Sequence, residues 1–188
     1  PALGEFLSRS LRLVIALTLP CAVGLGLLAR EVLTLLFSAR LAQAAPSLQL
    51  LALTIVPFCA VMVLSRGLVA TNNQRIDLLG NLVAVAVNLA LNLWLIASFG
   101  AAGAAAAQFL SMLALLLIVA VWSRRRLYRL EWRRTVTTAI VPLALMSVVV
   151  WQARSLGFWI AMVAGALVWL AAALLTQREL RMALSRQA

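Results

Sequence analysis

The sequence has no histidine and no lysine, and it has only five acidic residues in 188. Without histidine it lacks the usual acid–base group near neutral pH and the commonest metal ligand, and without lysine it lacks the amine that forms Schiff bases. None of the acids lies in the middle of an apolar run; they are Glu5, Glu31, Asp77, Glu131 and Glu179. No carboxylate pair or metal cage is therefore indicated. We predict no metal ion, no cofactor and no enzymatic activity.

Cysteine is also scarce, and positive charge has an unusual distribution. Cys21 and Cys59 lie in separate apolar segments, which favours small buried side chains over a disulfide or a metal site. All sixteen basic residues are arginine, and the net charge is +11. The arginines lie at the ends of apolar runs and do not alternate with stacking aromatic residues, so nucleic acid is not a predicted partner.

Apolar residues make up 65% of the chain and charged residues 11%, and the mean hydropathy is +1.06. A soluble domain is about half apolar and about a quarter charged, so the sequence indicates an integral membrane protein. Six runs each reach about 25–30 Å as a helix, enough to cross a bilayer. They are residues 13–29, 47–64, 78–97, 102–122, 135–151 and 157–175. Since backbone groups in lipid must bond within their own segment, we predict an all-α polytopic transmembrane bundle of six spans.

The arginines predict an orientation for these spans. If residues 123–134 face the cytoplasm, alternation places thirteen arginines on that side and three on the other. Cytoplasmic loops carry an excess of arginine, so both chain ends are predicted to be cytoplasmic. On the opposite side, the apolar run Val32–Phe37 is too short to span, and we expect an interfacial or half-inserted turn that packs against helices.

The third span carries a polar ridge of Asp77, Asn81, Asn88 and Asn92. At about 100 degrees per residue these side chains fall within about 60 degrees of one another. An asparagine that faces lipid has no partner for its amide, so the ridge should face another helix or a hydrated cavity. Two interpretations stay open, namely hydrogen bonds between helices and the lining of a substrate pathway.

Two further features flank this span. Arg66, which follows the second span, either extends to the membrane surface or places a cation at the mouth of a cavity, where it could bind phosphate. In the fourth span Gly103, Ala107 and Ser111 form a small-residue face typical of close helix packing. We expect the third and fourth spans to form an antiparallel hairpin in which Gln108 meets Asn92.

Short blocks along nearly the whole chain resemble the C-terminal half of bacterial polysaccharide and O-antigen flippases. These proteins belong to the multidrug/oligosaccharidyl-lipid/polysaccharide (MOP) exporter superfamily, and the likeness extends more weakly to the lipid II flippases. The blocks are Leu19-Pro20, Gly24-Leu25, Leu36-Phe37, Leu48–Leu53, Gly67 to Asn73, Asn88 with Leu91-Asn92-Leu93, and Phe99–Ala105.

The resemblance implies two six-helix lobes around a central cationic cavity, followed by two extra helices. Residues 1–134 would be the last four helices of the second lobe, and residues 135–188 the extra pair with a cytoplasmic tail. The implied function is to flip undecaprenyl-diphosphate-linked oligosaccharide to the outer leaflet of the bacterial inner membrane by alternating access, for cell-surface polysaccharide biosynthesis. The implied partners are the bilayer, the lipid-linked glycan and an N-terminal lobe of the same protein. In this chain, the resemblance implies four residues that donate hydrogen bonds to the lipid-linked substrate, namely Arg66, Asn81, Asn88 and Asn92.

Three alternatives remain at this stage. A cation-coupled multidrug exporter of the same superfamily would be expected to have a carboxylate in mid-span. An integral membrane transferase would be expected to have clustered acidic residues or histidine, and Asp77 alone is weak support. In a non-catalytic scaffold, the polar ridge would serve only to pack helices.

Overall fold

The computed structural model describes residues 2–126, 132–155 and 157–176, and every regular element in these ranges is a helix. The predicted all-α class is therefore confirmed. In chain order the elements are α1 (Ala2–Leu27), α2 (Ala29–Leu36), a 3₁₀ helix (Ala39–Ala44), α3 (Ala45–Ala70), α4 (Gln74–Arg126), α5 (Trp132–Ala153) and α6 (Phe158–Thr176).

Helix α4 is a hairpin of two arms, residues 74–99 and residues 101–126. Its 53 residues would extend about 80 Å if straight, but Gly100 has φ 56° and ψ −131°, a conformation that essentially only glycine adopts. Past this kink, the second arm runs back along the first. A Cβ atom on Gly103 would lie 2.1 Å from the Leu95 carbonyl oxygen, so the arms approach closely only because residue 103 is glycine. The predicted hairpin is confirmed.

The membrane-spanning stretches follow from this hairpin. By length and composition, three stretches of the described residues are long and apolar enough to cross a membrane: Leu3–Leu27, Ala39–Ala70 and Gln74–Arg124. The third is folded back at Gly100, so it supplies two passes. Helices α5 and α6 have 22 and 19 residues and contain shorter apolar stretches, Pro142–Ala153 and Phe158–Ala172. The chain is a multi-pass membrane helix bundle.

Hydrophobic clusters hold the helices together, and two of them are large. One joins α1, α3 and the second arm of α4 through Leu11, Leu64, Leu68 and Val119, among others. The other joins Leu28, just before α2, to Met146 and Val150 of α5 and Ala161 of α6. As a result, the α5–α6 pair packs against the α1–α2 corner.

Helix α3 is longer than the predicted run, which ends at residue 64. It continues to Ala70, so Arg66 lies within a helix. The turn to α4 is closed by local hydrogen bonds. The backbone N–H of Asn73 donates to the Leu68 carbonyl over 2.8 Å, and the Thr71 hydroxyl donates to the Gly67 carbonyl over 2.9 Å. Asn72 takes the left-handed conformation, with φ 57°, which asparagine tolerates better than most residues.

Candidate functional site

The four residues predicted to bind substrate do not meet in one place. Arg66 is an exposed residue in the last turns of α3. It is next to Ser65, whose hydroxyl donates to Asp77 Oδ1 over 2.5 Å. Asn88 lies eleven residues beyond Asp77 on the same helix, which is about 16 Å along the axis. Arg66 is therefore at one end of the hairpin, and Asn88 is near its middle.

The centre of the α4 hairpin holds a group of polar side chains, here named the amide cluster: Asn88, Asn92, Gln108 and Ser111. Asn88 Nδ2 donates to Gln108 Oε1 and to Ser111 Oγ, over 3.1 Å in each case. Asn92 Nδ2 donates to Asn88 Oδ1 over 2.8 Å. The small residues of the second arm make room for these contacts, since Ala107 and Ser111 are 0% and 4% exposed. The predicted packing role of this small-residue face is confirmed.

The pairing inside the cluster differs from the prediction. Gln108 was expected to meet Asn92, but it accepts from Asn88, and Asn92 bonds to Asn88 instead. The two asparagines are one helical turn apart, and the sequence does not fix the register of the arms to within a turn. The carbonyl oxygen of Asn92 is buried without a hydrogen-bond partner among the described residues, so the cluster keeps one unused acceptor.

Asn81 does not share the environment of the amide cluster. Its side chain is exposed, and its Nδ2 donates to the Asp77 carbonyl of its own helix over 2.8 Å. The ridge predicted from helical angles is thus divided among three surroundings. Asp77 faces α3, Asn81 faces outward, and Asn88 and Asn92 face the second arm. The division arises because the first arm packs against α3 near one end and against its own second arm along its length.

A cavity that sequence reasoning missed lies where α1 meets α5 and α6. It has a volume of about 560 Å³ and an almost wholly apolar lining, which includes Cys21, Leu25, Met146, Met162 and Trp169. We refer to it as the apolar cavity.

The expectation that both cysteines are buried was wrong for Cys21, which is exposed on this cavity, whereas Cys59 is half-buried; both are free thiols. Glycine at 24 and 165 lets the helices pack closely beside the cavity, because a Cβ at either would crowd Met146 or Val150.

The corner above the apolar cavity also holds an unforeseen ion pair. Arg154, after α5, lies 3.3 Å from Glu31 Oε1 on α2, and its guanidinium stacks 4.9 Å from the ring centroid of Trp151. The second oxygen of Glu31, Oε2, is buried and has no hydrogen-bond partner in the described ranges. No signal in the sequence connects these distant positions.

These places offer groups that can bind a ligand. Within the described residues there is no group of three or more histidine, cysteine or acidic side chains that could hold a metal ion. The amide cluster offers hydrogen-bond donors and one free carbonyl oxygen. Arg66 offers a cation that suits phosphate, and the apolar cavity offers hydrocarbon contact.

Comparison with known proteins agrees with this inventory. The profile of the family "Lipid II flippase MurJ" matches residues 1–172. The fold is similar to a solved structure described as "Lipid II flippase MurJ, inward closed conformation", with a TM-score of 0.77 and 17% sequence identity. That likeness covers 95% of this chain and 40% of the other chain, so this chain spans two fifths of the length of that protein. None of the curated protein sequences matches significantly. The family match covers nearly the whole sequence, and the chain therefore belongs to the lipid II flippase MurJ family, whose members are transporters and not enzymes, as the sequence predicted.

Proposed function

We propose that this chain is part of a flippase that moves an undecaprenyl-diphosphate-linked saccharide from the inner to the outer leaflet of the bacterial inner membrane. Transport would occur by alternating access and would serve cell-surface polysaccharide biosynthesis. The observation that carries the proposal is the match of the lipid II flippase family to residues 1–172. It is supported by a fold of apolar helices that holds a polar cluster and carries an open apolar cavity.

The apolar cavity suits the lipid part of such a substrate. A polyisoprenyl chain is hydrocarbon throughout, and its transfer into a groove needs only apolar surface of matching width. The cavity of about 560 Å³ lies between α1 and the α5–α6 pair, so it can hold a segment of a long chain. The rest of the chain would stay in the bilayer.

The diphosphate needs positive charge, and Arg66 is placed to supply it. Its guanidinium is exposed at the end of the α3–α4 pair, where phosphate oxygens could accept two parallel hydrogen bonds. Asn88 and Asn92 lie about 16 Å or more farther along the helix. They could contact the saccharide or the diphosphate only after the substrate has moved away from Arg66. The exposed Asn81 would lie between Arg66 and these two asparagines.

The orientation of the chain remains part of the proposal. Thirteen of the sixteen arginines fall on the side of residues 123–134 by the alternation of spans, and the positive-inside rule assigns that side to the cytoplasm. Arg66 would then lie at the cytoplasmic side, where the substrate is loaded. The α1–α3 connection and the α5–α6 turn would face outward.

We further propose that the chain works together with an N-terminal lobe of the same protein. Residues 1–134 would complete the second lobe, and residues 135–188 would be the additional helix pair. The solved MurJ structure is more than twice as long as the part that this chain matches, which supports the need for a second lobe. The central pathway would then lie between the lobes.

The glycan is the least constrained part of the proposal. The sequence resemblance favours polysaccharide and O-antigen units over lipid II, whereas the family match favours lipid II. We therefore place lipid II first and keep the O-antigen unit as the second candidate. A cation-coupled multidrug exporter is less well supported, because Asp77 bonds Ser65 near a helix end and does not lie in mid-span.

The test is a transport assay on the intact protein in proteoliposomes. Lipid II and an undecaprenyl-diphosphate-linked O-antigen unit are supplied separately, and an enzyme added outside cleaves only the substrate exposed in the outer leaflet. We expect exposure of lipid II, and exposure of the O-antigen unit alone would support the second candidate. If the reconstituted protein is folded and neither substrate becomes exposed in the outer leaflet, the flippase proposal is overturned.

Arg66→Gln tests the loading site, with Arg75→Gln as a matched control. Both arginines are exposed near the α3–α4 turn, but only Arg66 follows the second span directly. We expect R66Q to slow exposure about tenfold, the effect of losing one charged hydrogen-bond donor pair, and R75Q to retain the parent rate. Equal rates in the two variants would remove Arg66 from the proposed site.

A further inference from the structure

The connection between α1 and α3 has two different sides. We name residues 29–44, which comprise α2 and the 3₁₀ helix, the surface segment. Its inner side is covered, since Ala29 is 0% exposed and Val32 packs against the cluster with α5 and α6. Its other side is apolar and bare. The uncovered residues are Leu35, Leu36, Phe37 and Leu41, which are 44% to 68% exposed.

Two tryptophans indicate the depth of the surface segment relative to the bilayer. Glu31 in α2 contacts Arg154 over 3.3 Å, which fixes α2 beside the α5–α6 turn. Trp151 and Trp159 flank that turn, and each is more than 60% exposed. Exposed tryptophan is enriched where the hydrocarbon of a bilayer meets its headgroups. The surface segment therefore lies at the membrane boundary rather than in water beyond it.

The charge of the surface segment is also directional. Arg30 and Arg40 are exposed, one before and one after the three bare apolar residues Leu35, Leu36 and Phe37. Glu31, its single acidic residue, is engaged by Arg154. What the segment presents outward is therefore hydrocarbon between two cations, which complements lipid acyl chains beneath a layer of phosphates.

We propose that the surface segment is an interfacial anchor that binds the phospholipid leaflet on the side opposite the arginine-rich residues 123–134. Leu35, Leu36 and Phe37 insert at the level of the headgroups, and Arg30 and Arg40 bind lipid phosphates. Through the Glu31–Arg154 pair, the anchor holds the α5–α6 turn at the same depth. This anchoring is independent of which substrate the protein carries.

The experiment places an environment-sensitive fluorophore on the intact protein in proteoliposomes. Phe37→Cys carries the probe, in a background in which Cys21 and Cys59 are replaced by alanine. Gln43→Cys is the matched control, because Gln43 is an exposed polar residue of the same segment. Quenching is measured with nitroxide-labelled phospholipid and, separately, with iodide in water. The probe at 37 should be quenched by the labelled lipid about threefold more than the probe at 43, because an interfacial helix buries its apolar face about 5–10 Å deep; iodide should give the reverse order.

Two results would overturn the anchor. Quenching by iodide at 37 as strong as at 43 would place the segment in water. Protection of position 37 from both quenchers would mean that protein, such as a second lobe, covers the segment. Either result leaves the transport assay unaffected, so the anchor and the proposed function fail separately.

The arginines are tested by lipid composition. In the labelled Phe37→Cys protein that keeps both arginines, adding phosphatidylglycerol to phosphatidylethanolamine vesicles should increase lipid quenching at position 37, because anionic lipid attracts each cation at the surface. In the double variant Arg30→Gln and Arg40→Gln this increase should be lost. An undiminished increase would overturn the role of the two arginines.

Discussion

Arg154 joins two parts of the molecule that are distant in sequence, because its guanidinium lies 3.3 Å from Glu31 on α2 while it stacks on Trp151 of α5. The ion pair is partly exposed, with side-chain exposures of 36% for Arg154 and 25% for Glu31. Glu31 is adjacent in sequence to Val32 and follows Leu28 by three residues, and both of these residues line the apolar cavity. The ion pair thus fixes how α2 and the α5–α6 turn meet above that cavity.

Arg154→Gln should lower the stability of the bundle more than Glu31→Gln does. Removing the arginine leaves a partly buried carboxylate without its cation, and Glu31 Oε2 already has no hydrogen-bond partner among the described residues. We expect a loss of about 1–2 kcal/mol, between the values for exposed and buried pairs. Glu31→Gln keeps a hydrogen-bond acceptor for Arg154 and should lose about 0.5 kcal/mol. Thermal unfolding of the purified protein in detergent measures both variants.

A matched control for the ion pair is Arg124→Gln, which removes an exposed arginine from the second arm of α4. Its melting temperature should equal that of the parent. The double variant Glu31→Gln with Arg154→Gln should be more stable than the sum of the two single losses predicts. Strict additivity would show that the two side chains do not interact in solution.

Gly103→Ala should disrupt the α4 hairpin, although alanine is the smallest possible addition. The new Cβ would lie 2.1 Å from the Leu95 carbonyl oxygen, so the arms must separate and lose their close packing. Overpacking of this kind lowers stability by about 1–3 kcal/mol. Gly26→Ala is the control, because a Cβ there meets nothing within 4 Å. The fraction of protein that elutes as a folded species after heating measures both; equal fractions would contradict the packing geometry.

Much of the fold could be predicted because apolar length determines a membrane helix. The span limits, the glycine at the hairpin turn and the small-residue face of the second arm are all local features of the sequence. The extension of α3 to Ala70 was not evident, because Arg66 interrupts the apolar run. A helix that ends beside water can continue past an arginine without penalty, so hydropathy alone places the boundary too early.

The site could be predicted only in part, because it depends on contacts between helices. Helical angles correctly grouped Asn88 with Asn92, but they also placed Asn81 with them, although Asn81 faces outward. The angular positions of side chains around a helix axis describe that helix alone. They do not tell which neighbouring helix packs against it at each position along the axis. The apolar cavity and the Glu31–Arg154 pair depend on how α5 and α6 dock on α1, which no local pattern encodes.

Asn88→Ala should destabilise the protein, whereas Asn81→Ala should not. Asn88 makes bonds to Gln108, Ser111 and Asn92, and bonds between membrane helices contribute about 0.6 kcal/mol each. We therefore expect a loss of about 1–2 kcal/mol for N88A. Among the described residues, the Asn81 side chain bonds only the backbone carbonyl of Asp77 in its own helix. That carbonyl keeps its helical backbone hydrogen bond when the Asn81 side chain is removed. Unfolding in detergent compares the two variants.

The same pair of variants separates the two roles considered for Asn88. If Asn88 only joins helices, N88A protein that remains folded should transport at the parent rate. If it also contacts substrate, transport per folded molecule should fall well below that rate. An unchanged melting temperature for N88A would contradict the described hydrogen bonds themselves.

Ala166→Phe should impair transport of long isoprenoid carriers by filling the apolar cavity. Ala166 of α6 lines this cavity and is exposed there, so a phenyl ring can enter it without displacing buried backbone. Ala171→Phe is the control, because Ala171 is an exposed alanine of the same helix that lies about 140 degrees away around the axis. With the 55-carbon carrier, A166F should be several-fold slower than A171F; with a carrier of a few isoprene units, which needs less apolar surface, the two variants should be equal. A uniform loss with both carriers would point to a folding defect, and equal rates with the long carrier would show that the isoprenoid chain binds elsewhere.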